Sequence, residues 1–461
     1  MTNLHSDKIK TVNLHTTTNH IYTNTQLRKL LVPIIIEQLL ASLMGTVDTM
    51  MVSNVGSAAI SAVSLVDSIN ILVIQALSAL AAGGAILCSQ YLGSHNTKGA
   101  RHAARQVFFV MAFLSVLLSA FCLITRKSLL RAIFGAVEAD VMKNSQVYFF
   151  FTLLSFPFIG LYDAGASIMR AQNNSRNPMV ISVISNFMNI GGNAILIFGF
   201  GMGVEGAAIS TLVSRIFCAI VVIIQLRREN EPIFIKNYMS IRPEWGLIKK
   251  ILLIGIPSGI ENSMFQLGKL LLLSMISGFG TTAIAANAVA NTVAMIAVLP
   301  GMAVGYGIVS VISQCVGSGD YEQVRYYGRK LIKWVYLLMG IVDILIILLI
   351  PVIIDLYGLS EATGDLAGKI ILFHNICAIV IWPISFSLPN VLRAASDVMY
   401  TMIIGVGSMW VFRILSGYLL GSVLGMGVFG VWVAMIIDWV VRSVCFLIRY
   451  HGGKWKHPAV R

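Results

Sequence analysis

Long apolar segments of this chain recur at a fixed step. Pro33 and Glu37 open one such segment, and Pro257 and Glu261 open another 224 residues later. The same step of 224 carries Gly56 onto Gly280, Ser89-Gln90 onto Ser313-Gln314, Gly93 onto Gly317, Arg101 onto Arg325 and Arg105 onto Arg329. The register holds without a gap from residue 33 to about residue 105. It returns where Met202-Gly203-Val204 and Gly206 fall on Met426-Gly427-Val428 and Gly430. A chain built from two parallel, lipid-embedded halves has few folds open to it. Each half forms its own helical lobe, and a pathway between two such lobes is the mark of a transporter.

The lipid embedding follows from composition. Of 461 residues 57% are hydrophobic and only 11% charged, against about a quarter charged in a soluble protein. Twelve apolar segments, each long enough to span a bilayer, run over 29–50, 59–87, 104–125, 145–169, 177–200, 204–226, 248–275, 283–312, 331–354, 368–391, 399–420 and 427–448. They are helices, because barrel strands are half as long and alternate. The expected fold is an all-α integral membrane protein with twelve transmembrane helices in two pseudo-symmetric six-helix lobes.

With the N-terminus inside, the inner segments hold 24 Lys and Arg and the outer loops 5, so both termini are expected in the cytoplasm. This topology accounts for the net charge of +13, which is therefore no nucleic-acid signal. The expected organisation is a disordered cytoplasmic tail over 1–27 without signal-peptide features, an N-lobe over 28–228, a linker over 229–246, a C-lobe over 247–450 and a second tail over 451–461. The linker's end, Pro243 to Lys250, reads as a short interfacial helix with its Trp at headgroup level. The six cysteines are scattered and form no CxxC pair, so neither a zinc site nor a disulfide framework is expected.

Carboxylates inside a bilayer are costly and mark function by default. In the first lobe, Asp48, Asp67, Asn189, Asn193 and Thr211 come to a similar depth in the outer half. Together they would make an all-oxygen site for a hard cation such as Na⁺, or a carboxylate pair sharing a proton. The competing reading leaves Asp48 solvated among headgroups. Glu37 and its twin Glu261 lie deeper, each one turn past a proline. They either line the pathway or hydrogen-bond backbone freed by Pro33 and Pro257, which are also candidate hinges. Pro157, Pro300, Pro383 and Pro389 are further bends. Asp343, Asp438 and Lys269 are also intramembrane, and Asp163, Arg215, Arg413 and Arg442 are expected in structural ion pairs. No HExxH, GxSxG or GxxxxGK[ST] motif occurs, so no enzyme chemistry is expected and any uphill transport draws on an ion gradient.

Several short stretches resemble one family. They are a Pro near the start of the first helix, Val47-Asp48-Thr49 near its end, Ser89-Gln90-Tyr91-Leu92-Gly93, Arg170-Ala171 with its echo Arg393-Ala394, and Gly203-Val204-Glu205-Gly206-Ala207-Ala208. In this order, over about residues 30–450, they look like the multidrug and toxic compound extrusion (MATE) family. The resemblance implies an antiporter that expels small organic cations or drugs in exchange for Na⁺ or H⁺. It implies alternating access, contact with membrane lipids, no other cofactor, no nucleic acid and a monomer in the bacterial cytoplasmic membrane. Asp48, Asn189 and Thr211 match the DinF-like pattern, and Asn193 stands where that pattern has a second Asp. NorM-like members carry a Glu two turns past the Pro of helix 7, whereas Glu261 is one turn past Pro257. The alternative is a lipid-linked saccharide flippase of related architecture, whose cavity would be richer in Arg and Lys. An intramembrane enzyme and a non-transporting receptor are the remaining rivals.

Overall fold

The computed structural model describes residues 21–135, 137–238 and 241–456, with the backbone alone for residues 44–46 and 49. Six helices form the first lobe: α1 (Asn24–Ser53), α2 (Ser57–Gly93), α3 (Thr97–Phe134), α4 (Ala139–Ala171), α5 (Arg176–Gly199) and α6 (Val204–Gln225). Six form the second: α7 (Trp245–Ser277), α8 (Thr281–Gly317), α9 (Tyr321–Leu356), α10 (Glu361–Ala394), α11 (Val398–Val423) and α12 (Gly427–Gly452). Among the described residues, 10 of these helices are long and apolar enough to cross a membrane. With α1 and α7, of 30 and 33 residues, they make the expected twelve.

The repeat in sequence is a repeat in capping. Asn96 and Asp320, 224 apart, both cap a helix: the Asn96 side chain accepts from the Gly99 N–H, and that of Asp320 from the Glu322 and Gln323 N–H groups. Gly56 and Gly280 precede α2 and α8 with φ of 133° and 95°, a backbone region where a side chain is strained. Pro33, Pro157, Pro257 and Pro300 all lie inside continuous α-helix. Pro383 instead opens a π-wound stretch, Pro383–Ser387, where the missing N–H suits the wider turn.

Two expectations about the connecting segments need correction. Residues 1–20 lie outside the described residues, but the chain is already ordered at Tyr22. Thr23 and Gln26 form a capping box that starts α1, and Leu27 is fully buried. The stretch from Trp245 to Lys250 is no separate interfacial helix. It is the first turns of α7, because Leu247, Ile248 and Ile251 are buried and carry the same helix inward. The linker itself is pinned to the first lobe: Ile233 and Ile235 are fully buried in its core, and Arg101 Nε donates to the Pro232 carbonyl at 2.8 Å. At the other terminus Trp455 is buried, stacked on Tyr450.

The lobes meet at the end of the bundle that carries both termini, here called the tail end. Gly83 of α2 packs on Gly255 of α7, where a Cβ on Gly83 would lie 2.7 Å from the Gly255 nitrogen. The twin contact sets Gly307 of α8 against Leu31 of α1. Further down, a reciprocal clasp closes the end. Gln90 of α2 donates to the Ala394 carbonyl at the end of α10 (2.9 Å), and Gln314 of α8 donates to the Ala171 carbonyl at the end of α4 (2.7 Å). The same two carbonyls also accept from a serine of their own lobe, Ser313 to Ala394 and Ser89 to Ala171, both at 3.3 Å. Gly93 and Gly317 allow the crossing, since a Cβ on either would overlap the carbonyl of Gln314 or Gln90. Tyr22 seals the rim. Its N–H donates to the Tyr327 hydroxyl (2.7 Å), while its own hydroxyl bonds Gln314 and accepts from Asn173. Toward the far end a cleft opens between the lobes, lined by Ser68, Ile71 and Leu72 of α2 and by Gln266, Lys269 and Leu270 of α7.

Candidate functional site

The first lobe assembles most of its predicted oxygen cluster near the far ends of α1, α5 and α6. Asn193 Nδ2 donates to Asp48 Oδ1 at 2.7 Å, and Thr211 Oγ1 lies 3.3 Å from the Asn189 amide. Asn189 and Asn193 are one turn apart on α5 and both buried, so helical spacing alone aims their amides at the same carboxylate. The outer atom of the Asn189 amide lies 2.7 and 3.1 Å from the two Asp48 oxygens. With nitrogen there, the amide donates to the bare carboxylate; with oxygen there, amide and carboxylate converge as a cation would require. Asn193 Oδ1 is buried with no partner. Asp48 is thus held between helices rather than lost among headgroups. Asp67 of α2 stands beside this group, accepting from Asn70 Nδ2 (3.1 Å) and the Tyr148 hydroxyl (3.3 Å).

The two glutamates have a different setting. Glu37, 5% exposed, pairs with Arg170 at 2.9 Å and accepts from the Tyr162 hydroxyl at 3.3 Å. Glu261, 4% exposed, lies between Arg393 (2.7 Å) and Arg442 (3.2 Å). Neither reaches toward freed backbone. Glu261 is outnumbered by guanidiniums, so its charge is not available to draw in a cation. Arg170 and Arg393 echo each other in sequence at an offset of 223, but nothing in the sequence marks them as partners of the glutamates.

Of the other expected pairs, Arg413 stands 3.9 Å from Asp438, which also accepts from Ser408. Asp163 accepts from Ser78, and Arg215 donates to Ser155 at 2.6 Å, so these two do not pair directly. Asp343 is fully buried with neither oxygen hydrogen-bonded. Among the described residues no group of three or more His, Cys, Asp or Glu side chains could hold a metal. The first-lobe group offers one carboxylate, two amides and a hydroxyl, all of them hard donors.

Two repeated six-helix lobes, clasped at one end and with a cavity between them toward the other, have the architecture of a membrane transporter. The MatE family profile matches residues 33–195 and again 257–419, the second match being displaced by the 224 residues of the repeat. The chain belongs to the MatE family, and is a multi-pass membrane transporter and not an enzyme. It is 28% identical over 446 residues to a probable multidrug resistance protein NorM of Thermotoga maritima, covering 94% of each. It is likewise 28% identical over 434 residues to an uncharacterized transporter YisQ of Bacillus subtilis, covering 92% of this chain and 93% of that one. A solved outward-facing conformation of a multidrug resistance MATE family transporter superposes with a TM-score of 0.87 at 20% identity, over 94% of this chain and 96% of that one. The family match does not favour the flippase alternative.

Proposed function

We propose that this protein exports small organic molecules, organic cations and drugs among them, in exchange for Na⁺ or H⁺ bound at Asp48. The observation that carries this reading is the convergence of Asp48, Asn189, Asn193 and Thr211 from three helices. That donor set follows the DinF-like pattern, with Asn193 in place of a second carboxylate. One carboxylate among neutral oxygens binds a monovalent cation weakly enough to release it, which an exchanger needs. With Asp67 close by, the same group can carry a proton instead. Glu37 and Glu261 act as struts that hold α1 to α4 and α7 to α10 and α12.

The excess of basic residues at the tail end supports a cytoplasmic tail end. The closed clasp then makes this the outward-facing state. A cation or proton arriving from outside neutralises Asp48, a cationic substrate held by the same carboxylates leaves, and the ion-loaded lobes rearrange about Pro33 and Pro257. The working unit is a monomer in the bacterial cytoplasmic membrane.

The test is transport by the full chain in proteoliposomes. Ethidium movement driven by a Na⁺ jump, or by a pH jump, should be abolished by Asp48→Asn and reduced by Asn193→Ala. Transport that survives Asp48→Asn with its ion dependence unchanged overturns the assignment.

A further inference from the structure

The second lobe repeats the position of the first-lobe site with the opposite charge. At the 224-residue offset, Asp48, Asp67, Asn189 and Thr211 fall on Leu272, Asn291, Arg413 and Met435. All four of these line one cavity of about 290 Å³ between α2, α7, α8, α11 and α12. Both carboxylates have been replaced by uncharged side chains, and an amide by a guanidinium. Lys269 adds an ammonium to the same cavity, and no Asp or Glu lines it. Among the described residues, no carboxylate lies within ion-pair distance of Lys269.

The charge behind the cavity wall does not cancel this. The ring of Phe265 has Lys269 at 5.1 Å, Arg413 at 5.4 Å and Arg442 at 5.8 Å from its centroid. Arg442 shares Glu261 with Arg393, and among the described residues Asp438, at 3.9 Å, is the one carboxylate paired with Arg413. The connected cluster thus holds four cationic side chains and two carboxylates, an excess of two positive charges within membrane-spanning helices. Uncompensated charge in that setting is costly, so an arriving anion is strongly favoured there. The cavity lining also includes the apolar side chains of Trp432, Met435 and Leu273. The Trp432 indole N–H is already committed to Asn287 at 3.0 Å and its ring meets His374 edge-on, so Trp432 offers the cavity apolar surface and no free donor.

We propose that this cavity binds small organic anions, a carboxylate or sulfonate on an aromatic or aliphatic body, with the anionic group between Lys269 and Arg413 and the body against Trp432 and Met435. The duplicated transporter then carries two half-sites of opposite charge, a cation site in the first lobe and an anion site in the second. This extends the substrate class of the exporter proposed above, but binding at the cavity does not depend on that reading.

The test is equilibrium binding to the purified full chain in nanodiscs, read as fluorescence anisotropy of carboxyfluorescein, with ethidium measured in parallel. Wild type should bind carboxyfluorescein, and 1-naphthoate should displace it. Lys269→Gln should weaken carboxyfluorescein about tenfold or more, as loss of a charge-assisted contact does, and Lys269→Arg should restore it. Ethidium affinity should be unchanged by either. Because Lys269 has no ion pair, Lys269→Gln strands no buried charge, and an unchanged melting temperature confirms the fold. No carboxyfluorescein binding by wild type, or equal binding by wild type and Lys269→Gln, overturns the proposal. Anion binding without any ion-driven transport would leave this inference standing and sink the antiport reading, whereas the reverse pattern would do the opposite.

Discussion

The clasp at the tail end sets a measurable energy on opening that end. Gln90→Ala with Gln314→Ala removes the cross-lobe donors to Ala394 and Ala171, at 2.9 and 2.7 Å, and a contact of Gln90 with Ser396 at 3.1 Å. A buried hydrogen bond contributes about 1 kcal/mol net, so the pair of glutamines is worth about 2 kcal/mol of preference for the tail-closed state. That is roughly a 30-fold change in the ratio of closed to open lobes. The serines of each lobe stay bonded to the same carbonyls, so the helices themselves should not fray. Distances between spin labels at Lys98 and Glu322, twin positions exposed at the tail end, report the opening. Labels on unnatural amino acids leave the six native cysteines in place. The double variant should show a longer distance, enriched about 30-fold in ratio over wild type and independent of substrate. An unchanged distribution, or a shift toward shorter distances, would refute the claim that the glutamines hold the lobes together.

Glu261→Gln leaves the buried Arg442 and the half-buried Arg393 without their carboxylate and should cost about 3–5 kcal/mol, seen as a lower unfolding temperature of the purified chain; an unchanged temperature would mean the trio is not a strut. Gly93→Val places a side chain where the Gln314 carbonyl lies, so the variant should populate the tail-open state even with both glutamines present, by the same spin-label distances. Asp48→Asn should remove any thermal stabilisation by Na⁺ while leaving the ion-free protein about as stable as wild type, because an amide can still meet Asn193; retained Na⁺ stabilisation would move the cation elsewhere. Gly405→Ala would force a methyl group against Glu261 and Arg442 and should destabilise the purified chain by about 1–3 kcal/mol in thermal unfolding; an unchanged unfolding temperature would refute the tight packing there.

Much of the fold was legible because a bilayer leaves so little choice. Apolar runs become helices, and a constant offset of 224 makes two alike lobes. The first-lobe cluster was legible for the same reason: intramembrane Asp48 and helix-spaced Asn189 and Asn193 have few ways to be satisfied. What stayed hidden depends on contacts across helices. Glu37 and Glu261 read as pathway-lining or backbone-bonded groups in sequence, because the arginines that pair with them lie 133 and 132 residues away or more. The polar run before α1 gave no sign that Tyr22 would be held by Tyr327 and Asn173. The stretch from Trp245 reads as a separate surface helix in sequence because the burial of Ile248 and Ile251 behind it is a tertiary fact. The basic cavity is lined at positions where the twins diverge, so the matching pattern of the repeat does not point to it.

The double use of the Ala171 and Ala394 carbonyls bears on speed. Each oxygen is held by one donor that would travel with its own lobe and one that would leave with the other. When the lobes part at the tail end, neither helix terminus is left with a bare acceptor in a water-poor interior. The departing glutamines, with Tyr22 and Tyr327 at the rim, are the groups that must find new partners among the described residues. Parting therefore resembles unhooking a shared ring from one of two pegs, and rejoining needs no helix end to be rebuilt. A gate made this way can be firm in its resting position and still cycle on the timescale of turnover.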